Sequence, residues 1–356
     1  MSLGSASPRR LSAPATLLCL GLVATSAPAQ TDWRRVAVPI YGAQAYAQGE
    51  ATFLAQRAQR FATQAQAFAE TMARYCAGEP SVTLAHDQAQ WKRSVEAWDA
   101  LAAHATGPLI ERRSARHIDF PLREANLRRA IADSPTTLQD LESIGAPARG
   151  FSALEWLLWR DTPRPNTPAC HYAVLLGQEI EGEARALDTA ARTRAETPPE
   201  DDDEAVARLA ESLNQWLAGI EQLRWTYLRK PLEVAETRGQ TPAFPRALSG
   251  HSAASWASRW KTLRDAAVLG ARPVPQLGKD FVPFEPLLRG RGLNALAARL
   301  VAATQRADVA LDAVDPVSAD RVRAAASALG ELAQFTEDEL APALSVRMGF
   351  SDADGD

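Results

Sequence analysis

The residues best suited to chemistry in this sequence lie in the segment Gly150–Trp159, which reads Gly-Phe-Ser-Ala-Leu-Glu-Trp-Leu-Leu-Trp. On a helix, Ser152, Glu155 and Trp159 share one stripe beside an apolar stripe. Glu155 is therefore predicted to lie among apolar side chains. A carboxylate there is costly unless it meets a cation, a metal ion or several hydrogen-bond donors, or takes up a proton. The alternative is a glutamate at the edge of an amphipathic helix, paired with an arginine.

A second group of charged residues lies upstream, in residues 111–123. Pro121 blocks a continuous helix there and indicates a loop or a helix start. Charged side chains held on loops against a rigid scaffold often form functional sites. The segment is therefore predicted to supply the partners of Glu155, and the alternative is a solvated basic loop. The four candidate partners are Arg113, Arg116, His117 and Asp119.

Other polar residues give weaker signals. His86, His104 and His171 are predicted to be surface or helix-face residues rather than ligands, and His251 is predicted to open a helix. The sequence contains no His-Glu-x-x-His pair, no phosphate loop, no Gly-x-Gly-x-x-Gly cradle and no Gly-x-Ser-x-Gly elbow. The familiar zinc peptidase, nucleotide-binding and serine hydrolase patterns are thus excluded.

The composition predicts a globular protein with a substantial core to position these residues. The chain has 356 residues, of which 46% are hydrophobic and 23% are charged. That length corresponds to about two domains. The formal net charge is −4, which argues against a nucleic-acid-binding protein, because such proteins are usually basic.

Helical periodicity runs through most of the chain. Val206, Leu209 and Leu213 begin its clearest amphipathic stripe. No sustained alternating run of β-branched residues supports a sheet. The predicted fold class is all-α, with two four-helix-bundle-like halves packed side by side. The predicted helices are residues 35–76, 87–104, 169–193 and 203–236, followed by an antiparallel pair at 288–313 and 317–345.

The predicted boundary between the halves is the segment 196–204. Two prolines there end one helix, and an acidic cluster begins the next, because acidic side chains favour the positive end of a helix dipole. This boundary predicts an N-terminal bundle of residues 30–196, which carries the Glu155 helix, and a C-terminal bundle of residues 197–356.

Residues 1–29 have the features of a cleavable signal peptide. Arg9 and Arg10 supply the positive region, Leu17–Val23 is a short apolar stretch, and Ala27-Pro28-Ala29 provides the small residues that a signal peptidase recognises. We predict cleavage after Ala29 and a periplasmic location. The later sequence has no stretch as long as the roughly 18 apolar residues of a membrane span.

Export changes the interpretation of the cysteines. With Cys19 removed, Cys76 and Cys170 are the two that are left. In an oxidising compartment such a pair predicts one disulfide, which would tie the end of the first long helix to the start of another. The alternative is two separate buried thiols.

The segment Gly150–Trp159 resembles the signature helix of the imelysin family, in which Gly-x-His-x-x-Glu is followed by an aromatic and two apolar residues. Other short pieces are similar to one branch of that family and occur in the same order along the chain. These pieces are Ile118-Asp119-Phe120-Pro121, the segment that begins at Cys170, Lys230-Pro231-Leu232, and the ending from Gly349 to Asp356.

The resemblance implies an exported protein of two helical bundles with a cleft between them, linked in many members to iron uptake or iron regulation. Glu155 matches the glutamate of the family motif, and Ser152 stands at its histidine position. Serine is a poor ligand for iron or zinc beside imidazole, and it cannot carry a proton near neutral pH. The resemblance therefore leaves three outcomes for a metal site: a weakened site, one rebuilt with Asp119 or His117, or none.

The resulting hypothesis is a non-catalytic protein that binds a metal ion or a small ligand in the cleft, with Glu155 as the central acceptor. Iron is the favoured metal by resemblance, with Glu155, Asp119 and His117 as its ligands. One alternative is a metallopeptidase-like hydrolase that uses Glu155 as general base, and another is a scaffold that docks a membrane-bound iron-uptake component. In the binding hypothesis the second half contributes Lys230, Arg246 and Ser249.

Overall fold

The computed structural model describes residues 38–347, together with residues 1, 2, 4 and 33. The residues that predict the signal peptide, from Arg9 to Ala29, and the ending from Gly349 to Asp356 lie outside this part. None of the described residues is in a β-strand, so the prediction of an all-α fold is confirmed. No helix in the described part is long and apolar enough to cross a membrane.

Three long helices form the frame of the first half: α1 (Ala43–Cys76), α2 (Leu84–Ala102) and α8 (Pro168–Glu196). Helix α1 packs along both others. It begins later than the predicted residue 35, because the backbone at Gly42 is extended (φ −73°, ψ 169°). The Thr83 and Thr167 positions that precede α2 and α8 are extended in the same way, as expected for N-caps.

Short helices connect α2 to α8 and carry the segments singled out above. Prolines and glycines interrupt helical hydrogen bonding along most of this stretch, and the left-handed backbone at Arg113 (φ +52°) separates α3 from α4. The α-helices are α3 (Pro108–Glu111), α4 (Ser114–Ile118), α5 (Glu124–Asp133), α6 (Leu138–Glu142) and α7 (Gly150–Trp159), with a 3-10 turn at Ala146–Ala148 before α7.

The second half opens with α9 (Asp202–Gln222), which continues through a π-helical segment, Leu223–Arg229, into α10 (Lys230–Arg238). The sequence predicted a helix here but not its π segment. Pro231 follows that segment closely, and a proline inside a helix removes a hydrogen bond and clashes with the preceding turn. The wider π turn makes room for it.

The same arrangement recurs near the end of the described chain. Helix α14 (Ala319–Phe335) continues through the π-helical segment Thr336–Leu340 into α15 (Ala341–Ala343), which contains Pro342. The remaining helices are α11 (Ser252–Ala267), α12 (Phe284–Gly290) and α13 (Asn294–Asp312). Helices α13 and α14 pack as the predicted pair. The predicted helix 288–313 was wrong at its start, because Gly292 has φ +78° and separates α12 from α13.

The apolar side chains form two clusters. One lies within residues 54–191 and contains Phe61, Trp91 and Phe151. The other draws mainly on residues 209–346 and also includes Tyr41, Tyr46 and Ala103 from the first half. The division into domains at residues 196–204 stays a prediction, and it coincides with the connection between α8 and α9.

The predicted disulfide is present. Cys76 and Cys170 are bonded, with a Cα–Cα distance of 5.5 Å. The bond joins the last residue of α1 to the first turn of α8, and it therefore fixes the two longest helices of the first half to each other at one end.

Candidate functional site

The signature segment forms helix α7, and its first residue controls how closely the helix packs. Gly150 has φ +73°, and a Cβ at this position would collide with the carbonyl oxygen of Ile118. Only glycine combines that backbone conformation with so close an approach. The contact holds the start of α7 against the end of α4. Asp119, which follows α4, thus lines the same cavity as Ser152 and Glu155.

Glu155 is buried, with 6% of its surface exposed. Its Oε1 accepts two hydrogen bonds from Ser249 in the second half, one from the backbone N–H at 2.9 Å and one from Oγ at 2.7 Å. No described residue donates a hydrogen bond to its other oxygen, Oε2. Glu155 therefore has one oxygen bound by the protein and a second available to the cavity.

The Ser249 contact depends on a tight loop before α11. Within this loop Arg246 and Gly250 both have φ +66°. The Ser249 hydroxyl also lies 3.0 Å from the carbonyl oxygen of Arg246, which helps to hold the loop in shape. The left-handed backbone at Arg246 turns the chain back on itself, and its buried side chain extends toward the first half, where it reaches Asp119.

Asp119 and Arg246 form a buried ion pair across the two halves. Arg246 Nη2 lies 2.7 Å from Asp119 Oδ1, and the indole N–H of Trp98 donates to Asp119 Oδ2 at 2.8 Å. Burial raises the pKa of Asp119, while the Arg246 charge opposes that shift. Burial alone would lower the pKa of Arg246, but the carboxylates of Asp119 and Asp99 raise it above its ordinary value.

A second buried pair lies directly behind the first, and the sequence analysis missed it. Asp99 Oδ1 lies 3.0 Å from Arg259 Nε and 3.8 Å from Arg246 Nη2, and Ser255 Oγ donates to Asp99 Oδ2 at 2.6 Å. Asp99 follows Val95 by four residues on the buried face of α2. An acidic residue at an apolar stripe position was the sequence signal that would have found it.

These residues surround a cavity of about 670 Å³ between the two halves. Its volume falls in the range of small-molecule sites. Most of its wall is apolar, including Trp98, Leu109, Leu122, Phe244 and Leu248. Its polar groups are those of Ser152, Glu155, Asp119, Arg246, Arg259, Gln215, Gln222, Thr226 and Tyr227. Thr226 and Tyr227 belong to the first π-helical segment, and π bulges are frequent at functional sites.

Four of the residues proposed from sequence do not reach the cavity. Arg113, Arg116 and His117 are exposed and do not line the cavity, because the buried face of the short helix α4 is formed by Ser114 and Ile118. Lys230 is also exposed, since the inward positions of the adjoining segment are Tyr227 and Leu228. These four residues therefore lie outside this cavity, and their part in a ligand site stays a prediction. The residues that do gather at the cavity are Ser152, Glu155, Asp119, Arg246 and, through its contact with Glu155, Ser249.

The donor groups at the cavity do not fit a metal ion held by protein side chains. Both oxygens of Asp119 and one of Glu155 are already hydrogen-bonded, and serine at position 152 is a weak ligand. His117, the remaining predicted ligand, is exposed on the outer face of α4. Within the described part of the chain, no group of three His, Cys, Asp or Glu residues is arranged to hold a metal ion. Only one carboxylate oxygen of the three predicted ligands is left at the cavity.

The charges around the cavity are unequal. Asp119 and Glu155 on its wall, and Asp99 directly behind it, supply three carboxyl groups, against the two guanidinium groups of Arg246 and Arg259. The two aspartates are paired with the two arginines, whereas Glu155 meets only the neutral groups of a serine. An unpaired carboxylate in a semi-apolar cavity favours a ligand that brings a positive charge or hydrogen-bond donors.

The fold and the cavity define the molecule as an all-α, helical-bundle protein with a ligand-sized cavity between its halves. The Imelysin family matches residues 54–344. The chain therefore belongs to the imelysin family, and the resemblance inferred from the Gly150–Trp159 helix is confirmed.

Solved structures with the same fold agree with this assignment. The chain is similar to an imelysin-like protein from Psychrobacter arcticum 273-4, with a TM-score of 0.70 and 19% identity over 88% of this chain and 100% of that one. It is also similar to a candidate iron-regulated protein A precursor from Parabacteroides distasonis ATCC 8503, with a TM-score of 0.68 and 15% identity over 84% of this chain and 94% of that one. At such low identity these likenesses show the fold alone. A search of curated proteins returned no match.

Proposed function

We propose that this imelysin-family protein is an exported, non-catalytic binding protein. Its ligand is a small organic molecule with a positively charged or hydrogen-bond-donating group, held in the cavity between the halves. The observation that carries the proposal is the hydrogen bonding of the Glu155 carboxylate. Its Oε1 accepts hydrogen bonds from Ser249, whereas no described residue donates to Oε2. A carboxylate oxygen held in this way is a ready-made acceptor.

An organic ligand fits the cavity better than a bare metal ion. A divalent ion needs several oxygen or nitrogen ligands at fixed geometry. Among the described lining residues, Glu155 Oε2 is the one carboxylate oxygen without a donor, and the other accessible oxygens belong to neutral side chains such as Ser152, Gln215 and Thr226. The cavity of about 670 Å³ has far more room than one ion requires. Its largely apolar wall favours a ligand with a hydrocarbon or aromatic body. The positive or donating end of that ligand would meet Ser152 and Glu155.

Export to the periplasm is supported by two features. The first is the signal-peptide pattern of residues 1–29. The second is the Cys76–Cys170 disulfide, because structural disulfides persist in oxidising compartments and are rare in reducing ones. Recovery from the periplasmic fraction of a processed chain that begins at Gln30, identified by N-terminal sequencing, would test both the location and the cleavage site.

The link to iron uptake or regulation rests on family membership and on the name of the Parabacteroides distasonis neighbour. The expected consequence is that expression of the protein changes when the host is starved of iron. Quantitative transcript measurement in iron-replete and iron-depleted cultures tests this link without assuming a ligand. Docking to a membrane-bound iron-uptake component stays a prediction.

The binding proposal is tested first by native mass spectrometry and elemental analysis of protein purified from the exported compartment. Wild-type protein should retain an organic adduct that Glu155→Gln loses, because the amide replaces one acceptor oxygen with a donor. Glu142→Gln, at an exposed position, is the matched control and should keep the adduct. Retention of the same adduct by Glu155→Gln would remove Glu155 from the site.

Calorimetry distinguishes the ligand classes. The titrants are ferric, ferrous and zinc salts, primary alkylamines of increasing chain length, and carboxylates of matching length. The proposal expects saturable binding of amines that strengthens with chain length, by about 0.8 kcal/mol per buried methylene, and that is lost in Glu155→Gln. Tight binding of a metal salt with none of the amines would favour the metal hypothesis instead.

A further inference from the structure

A second groove lies where α1, α2 and α11 run side by side, and it shares no lining residue with the cavity of Glu155. Its volume is about 400 Å³, enough for a small molecule or ion with its hydration. Because α11 belongs to the second half and α1 and α2 to the first, the groove also crosses the junction of the halves. Its charged lining residues are Arg57, Arg60, Arg93, Lys261, Glu96 and Asp265.

The groove carries more positive than negative charge. Four basic side chains line it against two acidic ones, although the whole chain has a net charge of −4. Asp265 Oδ2 lies 2.5 Å from the ammonium of Lys261, so these two charges of the groove offset each other, and Glu96 Oε1 lies 2.7 Å from His251, which is outside the groove. Three guanidinium groups, those of Arg57, Arg60 and Arg93, are thus left without a described carboxylate in ion-pair contact.

Arg57 is the least compensated of the three. Its side chain lies against the Phe53 ring at 4.2 Å and is 7% exposed. It donates only two long hydrogen bonds, to the Phe53 oxygen at 3.3 Å and the Ala100 oxygen at 3.5 Å, and its Nη2 has no partner among the described residues. Burial lowers its pKa to about 10, although Glu50 opposes this shift. A nearby anion stabilises a desolvated guanidinium that has an N–H group without a hydrogen-bond acceptor.

Two neighbouring arginines continue the positively charged lining of the groove to the protein surface. Arg60 follows Arg57 by three residues on one face of α1 and is exposed. Arg93 on α2 is also exposed, and its Nε donates to the neutral amide oxygen of Gln90 at 2.7 Å. Thr262 on α11 adds a hydroxyl group. The groove thus combines a buried guanidinium with two accessible ones, and guanidinium groups match the planar, multiple-acceptor geometry of oxyanions.

From this arrangement we infer that the groove between α1, α2 and α11 binds a small multivalent oxyanion of the phosphate class. The anion lies against Arg60 and Arg93, with Arg57 beneath it supplying charge from the protein interior. The inference is independent of the ligand of Glu155, since the two sites have separate walls.

Calorimetry with inorganic phosphate at low ionic strength tests the inference, with acetate as the monovalent comparison. Wild-type protein should bind one phosphate saturably and more tightly than acetate. Arg60→Gln and Arg93→Gln, both at exposed positions, should each weaken phosphate by about fivefold. Arg57→Gln should weaken it by more than about tenfold. If Arg57→Gln does not fold, the two exposed variants still decide the outcome.

Two control variants distinguish phosphate binding in this groove from non-specific electrostatic attraction and from binding in the Glu155 cavity. Arg129→Gln removes an exposed arginine outside the groove, and Glu155→Gln alters the cavity; both should bind phosphate as the wild type does. The inference is overturned if phosphate shows no saturable binding, if acetate binds equally well, or if Arg129→Gln weakens binding as much as Arg60→Gln. It is also overturned if Glu155→Gln abolishes phosphate binding, whereas failure of the amine titrations alone leaves it standing.

Discussion

Replacing Arg246 by methionine removes the guanidinium that lies between two buried carboxylates. Its Nη2 is 2.7 Å from Asp119 Oδ1 and 3.8 Å from Asp99 Oδ1. Methionine keeps an unbranched, flexible stem without the charge. Asp99 retains Arg259 at 3.0 Å, so Asp119 is the carboxylate left without a close cation, with the Trp98 indole as its remaining hydrogen-bond donor.

The expected cost is about 3–5 kcal/mol of unfolding free energy near neutral pH, because breaking a buried pair leaves an uncompensated charge. The cost should depend on pH. Burial raises the pKa of Asp119 and Arg246 opposes the rise, so the pKa of Asp119 rises further in the variant. A carboxyl group whose pKa is raised on folding lowers stability above that pKa and ceases to do so once protonated. The loss should therefore shrink as the pH falls toward about 4, the ordinary pKa of aspartate.

The assay is urea unfolding followed by circular dichroism for wild type, Arg246→Met, Asp119→Asn and the double variant, at neutral and acidic pH. The loss of unfolding free energy in the double variant should be smaller than the sum of the two single losses by about 1.5 kcal/mol or more, because Asp119→Asn removes the uncompensated charge. Arg185→Met, which breaks an exposed ion pair with Glu181, is the control and should leave stability nearly unchanged. Additive losses, or a loss independent of pH, would refute the reasoning.

Three other substitutions test separate contacts by thermal or urea unfolding. Gly150→Ala should destabilise the folded protein by about 1–3 kcal/mol or more, because φ is +73° and the new Cβ meets Ile118. The control Gly182→Ala, in open space on α8, should stabilise it by about 0.5–1 kcal/mol. Equal effects of the two substitutions would contradict the packing argument. The paired change of Cys76 and Cys170 to alanine should cost about 4 kcal/mol, because the bond closes a loop over 94 residues; unchanged stability would contradict that account. Asp87 is fully buried, and burial raises its pKa to about 6, although the Thr71 side chain opposes this shift. Asp87→Asn should therefore gain about 3 kcal/mol over the wild type above about pH 6, and the gain should fade toward about pH 4; a gain that does not vary with pH would exclude Asp87 as its source.

Much of the local structure was predictable because helical periodicity is a property of neighbouring residues. The long helices, the pairing of α13 with α14 and the burial of Glu155 follow from spacings of three and four residues. The π-helical segments were not predicted, although Pro231 and Pro342 marked their positions. Arg116 and His117 were assigned to the site because they lie near Asp119 in sequence, but the short helix α4 turns them outward.

By itself the sequence determined the all-α class, the pairing of the two cysteines, the family, and the presence of a carboxylate on an apolar helix face. The helical class and the position of the carboxylate depend on spacings over one or two helical turns. The cysteine pairing followed from the number of cysteines left in an exported chain, and the family followed from short motifs and their order. Only the tertiary structure decided which groups that carboxylate and its neighbours meet. Ser249 reaches Glu155 across 94 residues of sequence, Arg246 reaches Asp119 across 127, and Arg259 reaches Asp99 across 160. Such pairs are set by the packing of the two halves against each other, and no local pattern encodes that packing.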